Sequence, residues 1–392
     1  MYSLPLFVFW TSSLILAYSY LGYPLLLGLV AWVRKCPINR GENQPRVSLI
    51  ISVHNEEKVI REKLQNALAQ DYPKDKLEII VASDDSTDNT HSIVGQFIDS
   101  GIKLFVQEDR LGKTAALNMA VAKTRGDIIV FTDANSMYNT EAIRMMVENF
   151  ADPAVGCVTG ETRLLNPEKS AIGENEKSYY SYDTFLKKEE SAIGSTVGAD
   201  GAIFAVRKEL YQPLDSSLIN DFVIPLQIVA KGYRVVYEPR AFLHEATATP
   251  LKGGFARRVR IINRALFGLF SVPQVLNPFK VGFFAVQVVS RKLLRWTAPL
   301  FLIAIFITNL CLLSSLFYRL TFGLQLGFYL LAIVYMLASG MAKHRFLNFP
   351  YYFCHANAAA LVALIKFFRR QRIVVWEPLR PTTSCSCANP RA

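Results

Sequence analysis

The sequence predicts an α/β fold, a parallel sheet with helices on both faces, joined to apolar segments long enough to cross a membrane. Three observations carry this. Short apolar runs rich in branched residues (47–53, 77–82, 103–106 and 127–132) alternate with helical patterns at 59–70 and 114–123, the order that specifies βαβ units. Each run ends in a polar cluster, and right-handed crossovers bring such ends to one edge of the sheet, where open parallel sheets bind ligands. Residues 1–33 contain no charged side chain and close on Arg34-Lys35.

That first segment exceeds the roughly 20 residues a bilayer-crossing helix needs, so it is expected to be an anchor. A signal peptide is the competing expectation, but the apolar part is too long, it lacks a basic start and its arginine and lysine lie on the wrong side. Further uncharged runs cover 297–318 and 320–342; a weaker one, 346–365, contains Asn348, His355 and Asn357. Lys and Arg gather beside these runs, as expected of cytoplasmic flanks, which places the central domain in the cytoplasm. Both ends of 346–365 carry such flanks, so a re-entrant or interfacial segment is expected there, with a fourth span as the alternative. No paired charges are expected within the spans. The net charge of +11 reads as attraction to a membrane surface, because the basic residues sit at span ends without an aromatic stacking platform; nucleic acid is excluded as a partner. The six cysteines show neither a disulfide framework nor zinc spacing.

Between anchor and spans, the strand 127–132 delivers Asp133 to the ligand edge. One of its oxygens can hold a divalent cation, since Mg²⁺ asks for only one or two carboxylates plus substrate phosphates; capping the next helix is the plainer role. Asp84 and Asp85 end the second strand, suited to accept from the donors of a base or ribose, although 85–88 also fits an Asx-turn. Lys113, after Gly112 at a helix start, puts a cation and free N–H groups where phosphate can sit, without P-loop spacing. Together these describe a nucleotide-diphosphate site.

The segments SVHNEE, ASDDSTD, RLGKTAALN, FTDANS, GADGAIFAVR and NDFVIP, in this order, resemble the motifs of family 2 glycosyltransferases with the GT-A (Rossmann-like) fold. The likeness is greatest to the membrane-embedded cellulose, chitin-oligosaccharide, poly-N-acetylglucosamine and hyaluronan synthases. It runs from about residue 47 to 261. It implies an inverting, metal-dependent hexosyltransferase using Mg²⁺ or Mn²⁺. Asn55, Glu56 and Asp85 fall to the nucleoside, Lys113 to the diphosphate, and Asp133 to the first place of the D-x-D metal motif. The third place is Asn135, whose neutral amide oxygen is a weaker ligand, so either another group completes the shell or metal affinity is reduced. Asp200 and Gly201 match the acceptor-binding motif, though a plain Gly-rich turn also fits. Asp221 matches the member of an acidic pair that deprotonates the acceptor hydroxyl; its partner is Asn220, and an N-cap is the plainer role. Arg257 and Arg260 fall where processive members carry Q-x-x-R-W. Arg260 retains the arginine and can pair with the diphosphate, Arg257 replaces Gln on the acceptor side, and Ile261 replaces Trp.

The expected organisation is an anchor over 1–35, a GT-A domain over 46–262, interfacial amphipathic helices over 263–296, a transmembrane region over 297–368 and a cytoplasmic tail over 369–392. One amphipathic helix is expected over 278–296. A helix over 172–191 is expected to pack Tyr179, Tyr180, Tyr182 and Phe185 on the sheet or at the lipid interface. The expected activity is sugar transfer from a UDP-sugar onto a growing polysaccharide at the inner (plasma) membrane, with a homo-oligomer or a secretion partner open. Single transfer to a lipid-linked acceptor, or a silent nucleotide-sensing scaffold, are the alternatives.

Overall fold

A computed structural model describes residues 3–165, 171–246, 254–337 and 345–373. The chain divides into two compact units: Cys36–Asn166 with Gly194–Leu251 and Val374–Ala392, and Met1–Lys35 with Pro167–Ile193 and Lys252–Ile373.

The first unit is built on an eight-stranded sheet: β1 (Val47–Val53), β2 (Leu77–Asp84), β3 (Lys103–Gln107), β4 (Ile128–Asp133), β5 (Met137–Tyr138), β6 (Val155–Leu165), β7 (Ile203–Arg207) and β8 (Arg234–Ala246), in the order β3-β2-β1-β4-β7-β6-β8-β5. The expected parallel arrangement holds for β3, β2, β1 and β4. It stops at β7, which runs antiparallel to both β4 and β6. The sheet is therefore mixed, with β7 reached from β6 through the helix Ala171–Ile193 and the turn at Gly198. Both faces are buried, and the period-two alternation shows which residues go where. Leu49, Ile51, Val81, Val130 and Ala205 join one core with the helices Ile60–Leu68 and Ala142–Glu148. On the other face the cross-strand pair Phe131 and Phe204 stacks at 4.7 Å. Each such buried side chain contributes roughly 1.5–3 kcal/mol. The register sets Ser52 between Ala82 and Asp133, so β1, β2 and β4 end level and their polar tips share one edge.

The second unit contains four helical runs long and apolar enough to cross a membrane: Ser3–Val33, Phe283–Cys311, Leu316–Leu337 and Asn348–Phe368. Leu25, Trp32, Leu324 and Leu337 stay exposed. Three expectations are corrected here. The single amphipathic helix over 278–296 is broken at Gly282, whose φ of 58° ends the short helix Pro278–Val281; the remainder is the first part of the long run Phe283–Cys311. Of the forms expected for 346–365, the re-entrant one is corrected, since the segment lies within one continuous helix, Arg345–Phe368, which suits either an interfacial position or a crossing. That helix pairs with Gly254–Ser271 through Phe255 on His355 and Phe267 on Phe367.

The third correction concerns charge. Arg291, in the run Phe283–Cys311, is buried and pairs with Glu190 and Asp183 of the helix Ala171–Ile193. Tyr23 donates to Glu190 at 2.5 Å and Lys187 pairs with Asp183 at 3.1 Å. Burial works against the charge of Asp183, but Arg291 and Lys187 outweigh it and hold the carboxyl well below the usual range. Uncharged stretches in the sequence do not reveal this cluster, because its carboxylates come from a helix outside the apolar runs. Tyr182 belongs to it as well, accepting a hydrogen bond from Arg295, while Phe185 is exposed; the side chains of Tyr179 and Tyr180 lie outside those described. Cys385, Cys387 and the tail from 374 also lie outside the described residues.

Candidate active site

The polar tips of β1, β2 and β4 meet the loop before β7 and the start of the helix Asn220–Ala230. Asp133 is the hub. Its Oδ1 accepts from Ser52 Oγ at 2.9 Å and from the Lys113 ammonium, while Oδ2 accepts no hydrogen bond among the described residues. Lys113 is the first residue of the helix Lys113–Ala122, entered through Gly112 at φ 95°. It also reaches the Gly201 carbonyl at 3.4 Å. Gly201 in turn lies against Asp221: a Cβ added there would fall 2.4 Å from Asp221 Oδ2. The Asp221 backbone carbonyl accepts from Ala199 N at 2.8 Å, which fixes the loop against the helix start. Lys113, Asp133, Gly201 and Asp221 are thus joined through direct contacts.

Asp200 is held from several sides. Its N donates to Thr159 Oγ1 at 2.8 Å, Oδ2 accepts from Thr162 Oγ1 at 2.8 Å, and Oδ1 accepts from Ala202 N at 3.2 Å. It shapes the loop that presents Gly201.

The acidic pair at the end of β2 divides. Asp84 is buried, and its Oδ1 accepts from Gln107 Nε2 at 2.8 Å and Gly112 N at 2.9 Å. It fastens the loop leading to Lys113, whereas the chain leaves the strand at Asp85. Asp85, at φ 52°, is half-buried and makes no hydrogen bond or ion pair among the described residues. It is the member left to accept from a ligand. Asn55, at φ 56°, accepts at its Oδ1 from Thr87 N at 2.7 Å and Asp88 N at 3.2 Å, so it holds the turn after Asp85. Glu56 N donates to Thr90 Oγ1 at 2.8 Å and its carbonyl opens the next helix. Two non-glycine residues at positive φ on one edge are uncommon and go with function.

Asn135 Nδ2 donates to Glu245 Oε1 of β8 at 3.3 Å, and its Oδ1 accepts from Ser136 Oγ at 3.5 Å. Among the described residues no group of three or more His, Cys, Asp or Glu side chains forms a metal cage. A carboxylate oxygen of Asp133 and an amide oxygen are donors of the kind a divalent cation takes, with further oxygens needed to complete its shell.

Residues 48–214 match the sequence family described as Glycosyl transferase family 2. That matched stretch, less than half of the chain, is similar to a family 2 glycosyltransferase domain. It is 25% identical over 360 residues to the probable glycosyltransferase YdaM of Bacillus subtilis, covering 83% of this chain and 82% of that protein. It is 30% identical over 222 residues to the poly-β-1,6-N-acetyl-D-glucosamine synthase of Staphylococcus aureus, covering 55% of this chain. The match spans 53%, about half, of that synthase's length. Among solved structures, the mannosyltransferase PcManGT from Pyrobaculum calidifontis, in complex with GDP-Man and Mn²⁺, superposes with a TM-score of 0.69 at 26% identity over 93% of this chain and 100% of that one. The mixed α/β sheet is the GT-A arrangement.

Arg257 and Arg260 lie in the other unit, on the helix Gly254–Ser271. Burial, with Arg264 and Arg257 beside it, lowers the Arg260 guanidinium to about 10. Such a crowded cation gains from an anionic partner.

Sequence reasoning missed Lys63. Its side chain is 1% exposed. The ammonium donates to Thr132 Oγ1 at 2.9 Å and to the Ser136 carbonyl, and it sits 4.2 Å from the centre of the Tyr138 ring. Burial lowers its pKa to about 7, with the Asp133 charge acting against that shift. The helix Ile60–Leu68 gives a signal that finds it: Ile60, Leu64 and Ala67 mark the buried stripe, and Lys63 occupies its i+3 position.

Proposed function

We propose that the protein is a membrane-bound, inverting glycosyltransferase that moves a hexose from a UDP-sugar onto a growing polysaccharide. The observation that carries this is the chain of contacts from Asp133 through Lys113 and Gly201 to Asp221. These contacts support Asp133 as the cation-binding carboxylate, Lys113 as the phosphate-binding ammonium and Asp221 as a second carboxylate near them. Asp133 and Asn135 would hold Mg²⁺ or Mn²⁺, which neutralises the departing diphosphate. Lys113 pairs with that diphosphate, Asp85 accepts from the nucleoside, and Asn55 and Glu56 shape the wall around it. Asp221 takes the proton from the acceptor hydroxyl as its oxygen bonds to the anomeric carbon. The bond from that carbon to the phosphate oxygen breaks, and the nucleoside diphosphate leaves. Asp200 and Gly201 form the acceptor side. The roles of Arg257 and Arg260 rest on the motif match alone. Polysaccharide as acceptor is supported by the Staphylococcus aureus relative, and membrane lipids as surroundings by the four apolar helical runs.

A second reading has its own observation. The mannosyltransferase structure, bound to GDP-Man, is matched over its whole length, whereas the polysaccharide synthase is matched over half. Together with Ile261 in the place of a stacking Trp, this supports single transfer, with GDP-mannose among the donors to test. The deciding experiment offers purified protein in lipid a panel of UDP- and GDP-sugars with Mg²⁺ or Mn²⁺, and follows nucleotide release and product size. UDP release with a high-molecular-weight product supports the first reading; GDP release, or a short lipid-extractable product, supports the second. Binding without release from any donor would leave the scaffold.

A further inference from the structure

The helix Ile60–Leu68 and the residues just after it grip the segment that follows β4 with three polar side chains at helical spacing. Lys63 donates to Thr132 Oγ1 and the Ser136 carbonyl. Asn66 exchanges both of its amide groups with the Tyr138 backbone, at 2.8 and 3.0 Å. Gln70 donates to the Asn139 carbonyl at 3.2 Å. Tyr138, whose ring lies against the Lys63 ammonium, donates from its hydroxyl to the Phe131 and Ala202 carbonyls, both at 3.0 Å. Lys63 therefore touches the residue before Asp133, the residue after Asn135, and the ring that ties this turn to the Gly201 loop. A fully buried ammonium is strongly disfavoured unless its surroundings are ordered for it. Packing alone would be served by the leucine or methionine that such a stripe ordinarily carries.

We infer that Lys63 is a positioning residue of the donor site: its ammonium fastens both ends of the turn 133–136 and so sets where Asp133 and Asn135 present oxygen to a divalent cation and a diphosphate. This rests on the metal role proposed for Asp133. Lys63 makes no contact with the ligand; it acts through the turn. Loss of the ammonium lets the turn relax, and the oxygens that must meet one cation together no longer do so. The consequence is weakened metal-dependent binding of the nucleotide, not of the nucleoside itself.

The test measures UDP and GDP affinity by calorimetry on the full chain, with and without Mn²⁺, for wild type, Lys63→Met and Thr132→Val. The substitution Lys63→Met keeps the length of the side chain and removes both hydrogen bonds. It is expected to cut the gain in affinity that Mn²⁺ confers at least tenfold while leaving Mn²⁺-free binding unchanged. A merely structural role would lower the Tm and leave that ratio alone. A folded Lys63→Met protein with the wild-type ratio overturns the proposal. If Lys63→Met does not fold, Thr132→Val, which removes one acceptor only, decides: a reduced ratio supports the proposal and an unchanged one overturns it. Wild-type binding that is itself indifferent to Mn²⁺ would instead overturn the metal role of Asp133, and this inference with it.

Discussion

At the scale of single residues, the site turns on which oxygen each carboxylate leaves available. Asp133 spends Oδ1 on Ser52 and Lys113. Asp133→Ala is therefore expected to abolish the Mn²⁺ dependence of nucleotide binding, measured by calorimetry; a dependence that persists would remove Asp133 from the metal. Asn135→Asp restores a second charged ligand and is expected to raise metal affinity about tenfold, read as a lower Mn²⁺ concentration for half-maximal turnover. Gly201→Ala places a methyl group where Asp221 Oδ2 lies. A displacement of about 1 Å can cost roughly 100-fold in rate, so kcat should fall by that order while donor affinity holds. Much of this was legible in the sequence: the six motifs put Asp85, Lys113, Asp133, Gly201 and Asp221 in order before any coordinates. The division of labour between Asp84 and Asp85 was not, because it depends on side-chain direction at a strand end. Lys63 escaped because a lysine in a helix with Arg61, Glu62 and Gln65 reads as solvated, and only its place on the apolar stripe says otherwise.

Among the elements, β1, β2 and β4 were readable as buried strands from their branched apolar runs, and their level ends follow from parallel pairing. The antiparallel β7 was not readable, since Ile203–Arg207 carries the same composition in either direction. The charged cluster around Arg291 is also an element-scale feature, joining the helix Ala171–Ile193 to the run Phe283–Cys311. Removing one partner of a buried ion pair leaves the other charge uncompensated, a loss of about 3–5 kcal/mol. Arg291→Met is accordingly expected to lower the Tm in detergent, and Arg291→Met combined with Glu190→Gln and Asp183→Asn to recover part of it. An Arg291→Met protein with the wild-type Tm would show the cluster to be energetically idle. The carboxyl of Asp183 is depressed, so its share of stability is present above the ordinary carboxylate pKa of about 3.9 and is lost only as pH falls through its lower folded value. Between pH 5 and 8, on the order of the usual working range, that share should be flat.

For the molecule as a whole, the sequence marked uncharged runs with basic flanks beside an α/β domain, but left open how the last helix lies. Arg345–Phe368 is continuous and long enough to cross, yet it pairs with Gly254–Ser271, which carries Arg257, Arg258 and Arg260. Basic residues flank it at both ends. An interfacial final helix predicts that a reporter fused after residue 392 reports from the same side of the membrane as the sheet-bearing unit; a signal from the opposite side would establish a fourth crossing. The account as a whole stands on Asp221 acting as base beside a metal-bound donor. The most direct measurement compares wild type with Asp221→Asn for donor affinity and for nucleotide release on the same preparation. The account predicts donor affinity within about twofold of wild type and turnover reduced roughly 100- to 10,000-fold, the span general-base catalysis supplies. Turnover that survives the substitution, or donor affinity that collapses together with it, would contradict the assignment.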